Sequence, residues 1–134
     1  MTALPVPEVP HLREAEAFWS GIAAGEFLLE RCRGCGAVVW YPRGFCPSCG
    51  SSDVTLEPAS GEGTVYSFSV VHRGAGDYRG CEPYVVAYVE LDEGPRILTN
   101  VVGGDPDSLV IGARVRMVFE RGPDGSALYR FTTV

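Results

Sequence analysis

Apolar residues recur along this chain with two different periods, and the change of period divides it. Over residues 11–24, Leu12, Ala15, Trp19 and Ile22 return at intervals of three, four and three, with Phe18 and Ala23 widening the stripe. That spacing predicts an amphipathic helix ending near Gly25. The residues before it include Pro5, Pro7 and Pro10, which predict an extended arm. Beyond the helix the pattern turns to β-structure, with short strands expected at residues 27–31 and 38–41. After Gly61-Glu62-Gly63, five runs rich in β-branched and aromatic residues, at 64–72, 84–91, 96–102, 113–119 and 127–133, predict longer strands. Alternation is clearest in the fourth, where Ala113, Val115, Met117 and Phe119 oppose Arg114, Arg116 and Glu120. The second, Tyr84-Val85-Val86-Ala87-Tyr88-Val89, is apolar on both faces, so its outer face is expected to carry a cover. Turns fit Glu93-Gly94-Pro95 and Pro123-Asp124-Gly125, and Asp105-Pro106-Asp107-Ser108-Leu109 has room for one helical turn. Five short strands with this punctuation predict a small OB-fold barrel. The expected fold is therefore mainly β: an arm and helix over residues 1–25, a ribbon over 26–58 and a barrel over 59–134.

The ribbon segment carries the chemistry. Cys32-Arg33-Gly34-Cys35 and Cys46-Pro47-Ser48-Cys49 are two Cys-x-x-Cys pairs separated by ten residues, each followed by a glycine. Two intervening residues let both thiolates of a pair face one ion, and Gly36 and Gly50 supply the positive φ such a knuckle turn requires. Four thiolates suit one zinc ion per chain; iron in a rubredoxin-like site has the same ligand set, and sequence alone does not choose between them. With four protein ligands the site has no open position, so a structural role is expected and not hydrolysis. Disulfides would need an oxidising compartment, yet Met1-Thr2-Ala3-Leu4-Pro5 has neither a basic nor an apolar leader-like run, and a cytoplasmic protein is expected. A thioredoxin-like redox pair would sit in a βαβ unit, of which there is no sign.

Composition narrows the partners. The formal charge is −6, and a zinc tetrathiolate adds about two more negative charges, a poor basis for gripping phosphate backbones. The rival reading, a nucleic-acid-binding OB-fold and zinc-ribbon module, would call for a basic stripe, whereas Tyr66, Phe68, Tyr84, Tyr88, Tyr129 and Phe131 are expected to fill the barrel. Arg31, Arg33 and Arg43 are expected to offset the tetrathiolate. No apolar stretch approaches the roughly 18 residues of a membrane span. Of two histidines, His11 lies at the helix start and His72 ends a strand, where a hydrogen-bonded place on the barrel rim is expected. Cys81, the odd cysteine, reads as incidental, so no catalytic residue is assigned.

Taken in order, Phe18-Trp19-Ser20-Gly21, Arg31-Cys32-Arg33-Gly34-Cys35-Gly36, Tyr41-Pro42-Arg43, Cys46-Pro47-Ser48-Cys49-Gly50, Gly63-Thr64-Val65-Tyr66-Ser67-Phe68, Val70-Val71-His72-Arg73, Pro83-Tyr84-Val85-Val86-Ala87 and Gly94-Pro95-Arg96-Ile97-Leu98 resemble a known family. It comprises the acyl-CoA-associated proteins that join a rubredoxin-like zinc ribbon to an OB-fold, long catalogued as a domain of unknown function. The resemblance covers residues 18–131. It implies a non-catalytic accessory subunit of a thiolase-fold enzyme, whether thiolase, thiolase-like aldolase or acyltransferase. The substrates would be acyl-CoA thioesters, steroid side chains among them, and a MaoC-like hydratase is a further partner. It also implies that Cys32, Cys35, Cys46 and Cys49 hold the metal, and that His72 and Arg73 lie at the partner interface beside a mobile loop, residues 74–82. Phe18 and Trp19 are expected either to dock on their own domain or, with Trp40, Tyr41 and the two-sided strand, to form apolar surface buried against the partner; Arg130 is expected to matter less there.

Overall fold

The structure, a computed structural model, describes residues 3–9 and 12–134. His11 lies outside the described residues. The predicted helix begins as a single 3₁₀ turn, Arg13–Ala15, and continues as α1, Glu16–Ala23. It buries Ala15, Phe18, Trp19 and Ile22 of the stripe read from the sequence but leaves Leu12 and Ala23, at the two ends of that stripe, exposed, and Arg121 reaches across to donate to the carbonyl of Ala23 in its last turn.

Two sheets follow. β1 (Leu28–Cys32) lies between β2 (Val38–Val39) and β3 (Val54–Pro58), both antiparallel to it. β3 was not anticipated, although Val54-Thr55-Leu56 has the β-branched character of a strand. The second sheet is a closed barrel in the order β4-β5-β6-β8-β7, from β4 (Glu62–Val71), β5 (Tyr84–Leu91), β6 (Arg96–Val102), β7 (Arg114–Arg121) and β8 (Ala127–Thr133). Closure comes from a short parallel pairing of β6 with β8, Val101 to Phe131 and Val102 to Thr132. The predicted helical turn between β6 and β7 is present at Pro106–Ser108. Val65, Val85, Ala87, Val89, Leu91, Ile97, Val115 and Phe131 fill the barrel. β4 and β5 approach so closely at Gly63 that a Cβ there would meet the Glu90 carbonyl oxygen at 2.6 Å. No helix among the described residues is long and apolar enough to cross a membrane.

Two expectations about side chains are overturned. A β-bulge between Val65 and Ser67 shifts the register of β4, leaving Tyr66 as the extra residue and 47% exposed. Tyr88 is likewise outside, 48% exposed, so neither tyrosine fills the barrel; the cover expected over β5 reaches Tyr84, whose ring lies 5.3 Å from that of Tyr78, but not Tyr88.

The aromatic residues near the ribbon go the other way. Phe18 is 0% exposed, and its ring stands edge-on to Trp19 at 5.1 Å, Trp40 at 5.3 Å, Tyr41 at 6.0 Å, Phe27 at 6.2 Å and Tyr129 at 6.3 Å. Trp19 stacks on Tyr129 at 6.0 Å and donates its indole N–H to the Tyr41 hydroxyl at 2.6 Å. Burial, and secondarily the Tyr41 hydroxyl, raises the pKa of Tyr129 well above its usual value. Helix, ribbon and barrel thus meet in one aromatic joint, and Phe18 offers no surface to a partner. Phe18→Ala should cost about 3–5 kcal/mol. Because the joint is shared, metal-site integrity and the barrel's far-UV signal should fall in one transition. Leu98→Ala, at a residue 53% exposed, should stay within about 0.5 kcal/mol of the parent in the same denaturant titration.

Candidate metal centre and the surfaces around it

The four predicted ligands converge. Cys32 ends β1, Cys35 follows in the first knuckle, and Cys46 and Cys49 form the second; their Sγ atoms all lie within 4.8 Å of one another. Cys32 to Cys49 and Cys35 to Cys46 are each 3.6 Å apart, close to the roughly 3.8 Å edge of a tetrahedron built on Zn–S bonds of about 2.3 Å. Gly36 and Gly50 have φ of 80° and 79°, and their N–H groups donate to the carbonyls of Cys32 and Cys46, closing the two turns. The Cys35 N–H points at the Cys32 sulfur at 3.4 Å. Cys32 and Cys46 are buried, Cys35 and Cys49 exposed.

The electrostatics call for a cation. The backbone N–H of Cys35 lowers the pKa of Cys32, and that of Cys49 lowers Cys46 to about 7. For Cys49, the Ser51 N–H favours the thiolate, but the neighbouring sulfurs, Cys32 first, outweigh it and push the group up to about 11. Four like charges cannot coexist at this separation without a divalent ion, and a thiolate set in tetrahedral reach fits zinc. Two of the three arginines expected to balance the cluster have other partners, while Arg33 is exposed. Arg31 pairs with Glu57 at 3.0 Å and donates to the Gly36 carbonyl, while Arg43 donates to the Trp40 carbonyl and, through its backbone, to buried Glu30.

The remaining candidates do not assemble into a catalytic site. His72 is exposed and its side chain has no hydrogen-bond partner among the described residues, which corrects the bonded rim position expected for it. Arg73 is exposed beside it. Cys81 is buried, its thiol directed at the Ala3 carbonyl at 3.7 Å. The loop of residues 74–82 is organised and not loose: the Glu82 carboxylate accepts from the Gly74 N–H at 2.6 Å and the Gly80 N–H at 2.7 Å, around a 3₁₀ turn at Gly76–Tyr78.

One functional-looking group escaped the sequence reading. Arg130 is 1% exposed; it pairs with Glu120 and donates to the Asn100 side chain at 3.2 Å, the Pro5 carbonyl at 2.7 Å and the Tyr78 hydroxyl at 3.3 Å. Glu120 is its diagonal neighbour, since Val118 pairs with Arg130 across β7 and β8. Opposite charges in adjacent predicted strands were the available signal, but only the register puts them on one face.

A closed barrel joined to a four-cysteine ribbon defines a zinc-ribbon and OB-fold protein. Residues 19–55 match the family described as "ChsH2, rubredoxin-like zinc ribbon domain", and residues 56–120 match "ChsH2, C-terminal OB-fold domain". Relatives include a "DUF35 domain-containing scaffold protein" of Methanothermobacter thermautotrophicus, 41% identical over 107 residues that span 76% of this chain and 80% of that one. The "3-oxo-4,17-pregnadiene-20-carboxyl-CoA hydratase alpha subunit" of Mycobacterium tuberculosis is 35% identical over 85% of this chain but only 36% of its own length. The "Benzoylsuccinyl-CoA thiolase subunit BbsA" of Geobacter metallireducens is 34% identical over 54% of this chain and 48% of that one. Among solved structures, "Ltp2-ChsH2(DUF35) aldolase" superimposes with a TM-score of 0.85 at 32% identity, covering 94% of this chain and 98% of that chain. The chain belongs to the DUF35 (ChsH2-type) family, and its metal is zinc.

Replacing Cys32 or Cys46 with serine should abolish stoichiometric zinc by elemental analysis and disorder the ribbon, because binding energy of the order of 10 kcal/mol normally comes from such sites. Glu82 titrates below the ordinary carboxylate range, chiefly through the Gly74 N–H. Its clamp is therefore intact above the unfolded value of about 4.3 and is lost as pH falls through the depressed folded value. Amide exchange at Gly74 and Gly80, corrected for intrinsic rates, should stay slow at neutral pH and accelerate on acidification below about pH 4. Glu82→Gln should show the fast exchange already at neutral pH.

Proposed function

We propose that this chain is a non-catalytic accessory subunit of a thiolase-fold enzyme, a thiolase, thiolase-like aldolase or acyltransferase, that acts on acyl-CoA thioesters. The observation that carries the reading is the superposition of 94% of the chain on a chain of the structure named "Ltp2-ChsH2(DUF35) aldolase". The naming of a relative as a thiolase subunit supports the same class of partner. Steroid side-chain thioesters are the proposed substrates, and a hydratase is the proposed second partner, both on the strength of the mycobacterial relative's name. The geometry supports the lack of independent turnover: the metal has four protein ligands, and the nearest nucleophile and base candidates, Cys81 and His72, are respectively buried against a backbone carbonyl and exposed without a partner. A cytoplasmic location fits thiols kept reduced for zinc.

The surface proposed to meet the enzyme lies on β4 to β6. Tyr88 and Leu98 sit directly opposite one another in register, both about half exposed, with Tyr66 beside them and His72 and Arg73 at the end of β4. Phe18 is removed from this list by its burial, and Trp19, Trp40 and Tyr41 act through the joint that shapes the chain. Exposed aromatics on an OB-fold face also suit stacked bases, but Arg96 already covers the Tyr66 ring at 3.8 Å and is paired with Glu90, and the chain is acidic.

Co-expression with a thiolase-fold enzyme of the same organism is the deciding experiment. The complex should be stable and active, this chain alone should not turn over acyl-CoA, and the enzyme alone should lose activity or solubility. Tyr88→Asp with Leu98→Asp should abolish co-purification while zinc content and unfolding midpoint are kept. Turnover by the isolated chain, or a fully active partner without it, overturns the reading. Binding of single-stranded DNA or RNA tighter than roughly 1 µM at physiological salt would favour the nucleic-acid module instead.

A further inference from the structure

Residues 3–9 run over the barrel without joining any sheet. Pro5 and Pro7 have no N–H to donate, and among the described residues the backbone of this segment has only two hydrogen-bonded anchors, both accepted from side chains: Pro5 C=O from Arg130 at 2.7 Å and Ala3 C=O from the Cys81 thiol at 3.7 Å. Val6 lies close over Gly122, where a Cβ would meet the Val6 carbonyl oxygen at 3.1 Å. Ala3 and Leu4 form one wall of an apolar cavity of about 250 Å³ whose other walls include Cys81, Tyr84, Val85 and Val101.

The anchor is unusual for its burial. Arg130 is the largest fully buried side chain among the described residues, and its guanidinium ties four segments to β8: Pro5 of the arm, Tyr78 of the 74–82 loop, Asn100 of β6 and Glu120 of β7. A buried guanidinium needs most of its donors satisfied, so the Pro5 carbonyl completes a set that the barrel supplies only in part. The arm itself contributes little else: one polar anchor, one weak thiol contact and a few apolar contacts, the profile of a segment whose local opening is far less costly than global unfolding.

We propose that residues 3–9 form a releasable strap, latched by Arg130, along one wall of the half-open apolar cleft at the barrel mouth, so that the Cys81 thiol, 7% exposed with the strap in place, becomes freely reachable only when the strap lifts.

The test labels the zinc-loaded full-length chain with N-ethylmaleimide and resolves each cysteine by peptide mass spectrometry. In the parent protein Cys81 should react slowly, yet faster than Cys32, Cys35, Cys46 and Cys49, because the strap opens without unfolding the ribbon. Leu4→Asp, which places a charge against the cavity, should raise the Cys81 rate by about tenfold or more with zinc content and circular dichroism unchanged. Arg130→Lys, which keeps the charge but loses the fork, should raise it by a smaller factor. A folded, zinc-loaded Leu4→Asp variant with the parental Cys81 rate overturns the proposal, whatever Arg130→Lys does. So does a parent protein in which Cys81 reacts as fast as a free cysteine peptide, or only in step with the zinc ligands.

Discussion

Four sulfurs held within 4.8 Å of one another are the constraint from which the rest of this structure follows. Unscreened thiolates at that distance repel, and the opposed titration of Cys46 and Cys49 expresses that repulsion. A divalent ion reverses the sign of the interaction, and the ribbon depends on this because it has almost no core of its own. Around the ligands only Val39 is fully buried, with Ala37 and Val54 against it. The metal therefore stands in for a hydrophobic centre at one end of the chain. It also orients β1, whose final residue is a ligand and whose other end leads Phe27 and Leu29 into the shared core.

That shared core explains why the chain behaves as one body. A ribbon of two knuckles and a barrel of five short strands are each too small to bury a helix's full apolar stripe. Placing α1 between them lets Phe18 touch aromatic residues from the ribbon, from the segment after β2 and from β8. Of the aromatic residues expected as anchors for another protein, Phe18 and Trp19 are buried internally while Trp40 and Tyr41 stay partly exposed, and the fold also leaves Tyr66, Tyr88 and Leu98 outside on the barrel wall and Phe45 outside near the second knuckle.

Legibility from sequence followed the range of the interaction. The centre of the helix stripe, the boundaries of β5, β6 and β8, and the four ligands rest on spacings of a few residues, and the structure reproduces them, whereas Leu12 and Ala23 at the ends of the stripe are exposed. Strand alternation failed at Tyr66 because one bulge inverts every later side chain of β4, and a bulge depends on the partner strand. Phe18 could be placed on the helix's apolar face, but which body covers that face is a tertiary fact. The buried Arg130–Glu120 pair was the least legible feature, since its meaning lies in register and in an arm 125 residues away in sequence.

These two kinds of feature divide the surface by function. Rigidity comes from the metal site, closed by four protein ligands, and from the packed rings of the aromatic joint. At the barrel mouth the Glu82 clamp, the Tyr78 hydroxyl and the Arg130 latch connect loop, strands and arm through polar contacts instead. Contacts of the arm carbonyls can be replaced by water when the arm lifts, whereas the buried ring contacts of the joint cannot, so the proposed opening falls at the mouth and not in the ribbon.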